Sequence, residues 1–116
     1  MPKKIRFYQK PTCTTCRKSK AYLEKRGAKL ELRNLDTERL SESELDELIG
    51  KRDHREFLNT RNELYRSRKM KDNSPTRAEA IKLMAANPNL IRRPVTISGA
   101  QILLGYDEPG FKKLTS

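Results

Sequence analysis

The sequence has no tryptophan, one histidine and two cysteines. None of its apolar runs approaches the ~18 residues needed to cross a bilayer, so a membrane span is excluded from the reading. Four tyrosines and three phenylalanines are too few for a base-stacking platform that would hold single-stranded nucleic acid, and no direct sequence-specific nucleic-acid binding is expected. Two cysteines cannot staple a secreted mini-domain of this length; three residues apart, they point to redox chemistry or to a metal. Zinc would need two further ligands, and His54, the sole histidine, has no cysteine near it. No metal is expected, and His54 reads as a surface residue. The first residues are basic but no apolar stretch follows them, so no secretory signal is read and a cytoplasmic location is expected.

What is abundant is charge. Lysine and arginine number 26 against 15 aspartate and glutamate, a formal net charge of +11 on 116 residues. The excess suits an acidic partner: an oxyanion, a nucleic acid or the acidic patch of another protein. A solvated basic surface accounts for it equally well, because the cations are spread along the chain. The length fits one domain.

Ile5–Tyr8 reads as a short strand, which Pro11-Thr12 breaks. A helix follows from Cys13–Thr15 to Gly27, with Thr12 as its expected N-cap and Gly27 as its stop. Leu30–Asn34 reads as a second strand, with Leu30 and Leu32 on one face. Ser41–Gly50 is a helix with a capping-box pattern at Ser41 and Glu44. Short helices are expected around Glu56–Leu58 and Glu63–Ser67, and a longer one after Ser74-Pro75-Thr76, ending at Asn87-Pro88. Val95–Ile97 and Gln101–Leu104 form a hairpin turning at Gly99, and Asp107–Leu114 closes the chain as a helix. The order predicts an α/β fold: a mixed four-stranded sheet with a helical insertion. The sheet domain takes residues 1–38 and 88–116, and the insertion residues 39–87.

The chemistry centres on Cys13 and Cys16. A thiolate is the nucleophile, and unpaired N–H groups at a helix start lower a thiol's pKa. Arg17, Lys18 and Lys20 add positive charge nearby. Cys16, one turn on, is placed to attack a mixed disulfide formed at Cys13. Two cysteines can also be inert core residues, but their flanks here are Pro, Thr and Arg, which are poor core neighbours.

Pro11-Thr12-Cys13-Thr14-Thr15-Cys16-Arg17-Lys18 after a strand resembles the redox loop of the ArsC/Spx family. Asn87-Pro88-Asn89-Leu90-Ile91-Arg92-Arg93-Pro94, Leu104-Gly105-Tyr106-Asp107-Glu108 and Asn59-Thr60-Arg61 resemble its later motifs, in order. The resemblance implies a thioredoxin-like domain of glutaredoxin type and a cis bond before Pro94, beside the cysteine pair. Arg17, Arg61, Arg93 and Pro94 are the expected oxyanion- or substrate-binding residues.

Two functions are implied. One is a thiol reductase similar to arsenate reductase, with no tightly bound cofactor and with glutathione, glutaredoxin or thioredoxin as electron donor. The glutathione-dependent arsenate reductases have a third arginine in the C-terminal hairpin, absent from Val95–Leu104, and usually lack the second cysteine. The other is an Spx-like regulator, switched by a Cys13–Cys16 disulfide, that binds the C-terminal domain of the RNA polymerase α subunit. Gly50 matches the small residue at its docking helix. The chain is expected to act as a monomer.

Overall fold

β1 (Lys4–Gln9) lies inside a four-stranded sheet of order β2-β1-β3-β4, built with β2 (Lys29–Asn34), β3 (Val95–Ser98) and β4 (Gln101–Leu104). This is a computed structural model describing residues 4–10 and 12–115. Pro11, read as the break after β1, lies outside the described residues. β1 runs parallel to β2 and antiparallel to β3, and β3 pairs antiparallel with β4, so the sheet is mixed as the sequence order requires. The helices are α1 (Thr14–Lys25), α2 (Glu42–Ile49), α3 (Glu63–Ser67), α4 (Arg77–Ala86) and α5 (Glu108–Leu114). Single turns of 3₁₀ helix occupy His54–Phe57 and Pro88–Leu90.

The chain divides into two compact units, Met1–Glu38 with Arg93–Ser116, and Arg39–Arg92. The dividing point after α4 is Arg93, later than the expected 88. The reason is backbone pairing inside the second unit: Leu58 bridges Ile91, the Asn59 N–H donates to the Leu90 carbonyl at 2.7 Å, and the Arg92 N–H donates to the Phe57 carbonyl at 2.8 Å.

In the first unit Phe7 of β1, Leu23 of α1 and Phe111 of α5 are fully buried together, with Tyr22, Ala28, Leu30, Leu103 and Tyr106 packed around them. Alternation along β1 sends Phe7 toward this cluster, and the 16, 19, 23 spacing on α1 supplies its inward stripe, all three residues being buried. Leu30 joins the cluster, whereas Leu32 is 46 % exposed because β2 is an edge strand. α1 ends where Gly27, at φ +84°, donates to the Glu24 carbonyl and the Ala28 N–H reaches the Leu23 carbonyl, a helix stop that positive φ permits.

The second unit buries Leu45, Leu48, Ile49, Phe57, Ala80, Ile81 and Met84, and α4 packs on α2 and on both 3₁₀ turns. The Ser41 capping box is formed: the Glu44 N–H donates to Ser41 Oγ and the Ser41 N–H donates to Glu44 Oε1, both at 3.1 Å. His54 differs from its expected surface place. It is half-buried, and its Nε2 lies 2.8 Å from the Pro75 carbonyl, tying a 3₁₀ turn to the segment before α4.

Candidate active site

Cys13 is itself the N-cap of α1, a role the sequence reading gave to Thr12. Its backbone is extended (φ −82°, ψ 118°), and its Sγ stands where a capping oxygen usually stands, accepting the Cys16 N–H at 3.3 Å. Its own N–H donates to the Lys10 carbonyl at 3.0 Å, closing the turn between β1 and α1. The usual caps carry oxygen, so the helix start alone gives no signal for a sulfur cap.

The two thiols are free and differ in exposure: Cys13 is half-exposed and Cys16 is buried. Partial burial pulls the Cys13 thiol upward, but hydrogen bonds from Cys16 and Thr15 and the positive field of Arg93 outweigh it, so its pKa falls below the ordinary value. Burial dominates at Cys16 and pushes it up to about 12, with the neighbouring Cys13 adding to the rise and a Lys10 backbone hydrogen bond and Arg93 opposing it. The pair is therefore asymmetric: an accessible sulfur that favours the thiolate beside a buried one that favours the thiol. α1 carries no acidic residue in its first turn, which leaves the helix-end field on Cys13 undiluted.

Arg93 is half-buried and electrostatically coupled to both sulfurs. The Arg93–Pro94 peptide bond is cis, Pro94 is buried, and the Pro94 carbonyl accepts the Gly105 N–H at 2.9 Å. Arg17 is exposed on the first turn of α1. Thus Cys13, Cys16, Arg17, Arg93 and Pro94 share the first unit. Arg61 belongs to the second unit, where it is exposed and its N–H donates to Asn59 Oδ1 at 3.1 Å. Gly50 caps α2 at φ +53° in that same unit. Among the described residues no group of three or more His, Cys, Asp or Glu is placed to hold a metal, and no helix is long and apolar enough to cross a membrane.

A thiolate-favouring cysteine at a helix head, a second cysteine one turn on and a cis-proline before the third strand of a mixed sheet define a thioredoxin-like thiol site. The chain belongs to the ArsC family, whose model matches residues 8–114. It is similar to the global transcriptional regulator Spx of Listeria monocytogenes, at 29 % identity over 111 residues, covering 94 % of this chain and 85 % of the relative. It is also similar to the protein YusI of Bacillus subtilis, at 32 % identity over 113 residues, covering 94 % and 96 %. Among solved structures, an ArsC family related protein from Bacteroides fragilis superposes with a TM-score of 0.82 at 27 % identity, covering 95 % and 96 % of the two chains. An arsenate reductase from Vibrio cholerae gives 0.84 at 23 % identity over 98 % and 99 %, a likeness of fold.

Proposed function

We propose that the protein is a thiol–disulfide redox protein in which Cys13 attacks and Cys16 resolves. The observation that carries this reading is the seat of Cys13 Sγ as the cap of α1, half-exposed and accepting the Cys16 N–H. In the cycle, the Cys13 thiolate attacks one sulfur of a substrate disulfide, forming a mixed disulfide and expelling the other sulfur as a thiolate. Cys16 then attacks Cys13 Sγ, which breaks the mixed disulfide and releases the second substrate sulfur as a thiolate, while the Cys16 proton passes to a substrate thiolate. The substrate has gained two electrons, and the protein is left with a Cys13–Cys16 disulfide. A dithiol of the thioredoxin type, or two glutathione molecules directly or through glutaredoxin, returns those electrons. Arg93 stabilises negative charge at Cys13, and Arg17 supplies positive charge at the approach.

Replacing Cys16 by Ser tests the cycle. Incubation with a disulfide such as oxidised glutathione is expected to leave a mixed disulfide on Cys13, seen as a mass increase that dithiothreitol removes. No adduct with glutathione or with a protein disulfide would defeat the reading. Arsenate turnover supplied with glutathione and glutaredoxin is expected to be weak or absent, since Val95–Leu104 holds no arginine to complete the oxyanion clamp.

The likeness to Spx regulators, at 29 % identity over 94 % of this chain, supports a second reading. There the Cys13–Cys16 disulfide switches binding to the RNA polymerase α subunit. Capture of that subunit's C-terminal domain by one redox form and not the other is the expected sign; no capture by either form removes this reading.

A further inference from the structure

We infer that the outer side of α1, with Tyr106 beside it, is a docking surface for an acidic polypeptide segment. Lys18, Tyr22, Lys25 and Arg26 fall at helical spacing and form one stripe on α1. Lys18 Nζ stands 4.4 Å from the centre of the Tyr106 ring, and Arg26 Cζ stands 5.9 Å from that of Tyr22. The two tyrosine rings meet edge to face, with centroids 6.1 Å apart and planes at 80°. Buried Phe111 backs both, at 6.0 Å from Tyr22 and 5.7 Å from Tyr106. The aromatic pair is thus anchored to the core, while the cations above it are exposed.

Beside the stripe lies an open groove of about 510 Å³ lined by Tyr22, Lys25 and Arg26. Long cationic side chains of this kind carry an apolar stem below a charged tip. Such a groove suits an apolar side chain flanked by carboxylates. Glu24 and Glu108 are the acidic residues of α1 and α5, and the negative field of Glu108 reaches Tyr106. Glu24 is paired with Lys20 at 2.9 Å and Glu108 lies 3.7 Å from Lys112, so each acid answers a cation outside the stripe. α5 ends with Lys112 and Lys113 in its last turn, and α1 and α5 pack on the same cluster around Phe111.

Charge complementarity therefore selects an anionic occupant, and ring geometry selects a polypeptide over a nucleic acid. A base needs an open ring face to stack on. Here Lys18 stands over one face of Tyr106 and Arg26 over one face of Tyr22, so a base stacking on those faces would displace both cations. Carboxylates instead bond those cations in place. Lys25 and Arg26 lie at the end of α1 opposite Cys13.

The test is a titration of the isotope-labelled 116-residue chain with a short synthetic peptide of glutamates flanking a leucine. It is followed by amide chemical shifts at physiological salt, where diffuse attraction is screened. The expected result is saturable shifts confined to residues 18–26 and 106–114. The double variant Lys25→Glu/Arg26→Glu should bind at least about tenfold more weakly. A charge-matched control on exposed second-unit residues, Lys51→Glu/Lys82→Glu, should bind as wild type. Shifts spread evenly over the basic surface, equal losses in the two double variants, or tighter binding of a single-stranded oligonucleotide at the same residues would each overturn the inference. The wild-type shift map decides the matter even if the double variant fails to fold.

Discussion

A thiol that caps a helix is stabilised most when it is ionised, because the N–H aimed at its sulfur is then a charge-assisted donor. Alkylation by iodoacetamide should therefore modify Cys13 first, with a rate–pH midpoint below the ~8.5 of an ordinary thiol. Cys16 should stay unmodified in the native protein, and mass spectrometry after short exposures reads both outcomes. Equal labelling of the two cysteines, or an ordinary midpoint for Cys13, would contradict the site geometry. Arg93 acts at the same sulfur through its field. Arg93→Gln should raise the Cys13 midpoint and slow its alkylation several-fold at neutral pH, while leaving the order of labelling unchanged. Cys16 has the opposite linkage. Its folded pKa, pushed up to about 12, makes the buried thiol's stability contribution complete below the ordinary thiol value and lost as pH rises from there toward 12. Cys16→Ser should accordingly flatten the fall in stability on the alkaline side.

At the scale of elements, local patterns fixed much of what the chain does. The Ser41–Glu44 box lies entirely within four residues, so its formation needs no tertiary information. Ser41→Ala should cost about 1 kcal/mol, seen as a lower urea midpoint with an unchanged slope. The strand–helix–strand order and the hairpin around Gly99 were equally legible, since period-two runs and turn glycines are local signals. What depends on packing was not legible. Thr12 is the residue that local pattern favours as the cap; the Cys13 N–H bond to Lys10, set by the end of β1, puts Cys13 there instead. His54 lies 21 residues from the carbonyl it meets, and no periodicity links the two. The same is true of Thr96. Its place in β3 opposite Phe7 and Leu103 is a matter of register. Its buried hydroxyl has no hydrogen-bond partner among the described residues. An unmade buried hydrogen bond is a cost, and valine has the same shape without it. Thr96→Val should therefore stabilise the protein by about 1 kcal/mol, raising Tm by roughly 4 °C. A lower Tm would show that the hydroxyl is satisfied in solution.

At the scale of the whole molecule, the governing quantity is the net charge of +11. Exposed ion pairs such as Arg77–Asp46 and Lys112–Glu108 each contribute on the order of 0–1 kcal/mol, and salt weakens them. Salt also screens the mutual repulsion of the excess cations, which act over a Debye length of about 10 Å at 0.1 M. With 26 cations to 15 anions, repulsion is the larger effect, so raising sodium chloride from low to physiological concentration should raise Tm at pH 7. Acid sharpens the contrast. Arg55 holds the exposed Asp53 carboxyl down at about 2, chiefly through their side-chain hydrogen bond. That pair's contribution is present above the ordinary carboxylate pKa and is lost only as pH falls through about 2. Acid removes negative charge from a chain that already carries an excess of cations, and the net charge climbs. Acid unfolding should thus be driven by general repulsion, not by loss of the Asp53–Arg55 pair. Its midpoint, followed by circular dichroism, should move to lower pH as salt is added, and Asp53→Asn should leave it nearly unchanged. A midpoint that ignores salt but shifts with Asp53→Asn would mean that one local pair, and not the charge of the molecule, sets the acid limit.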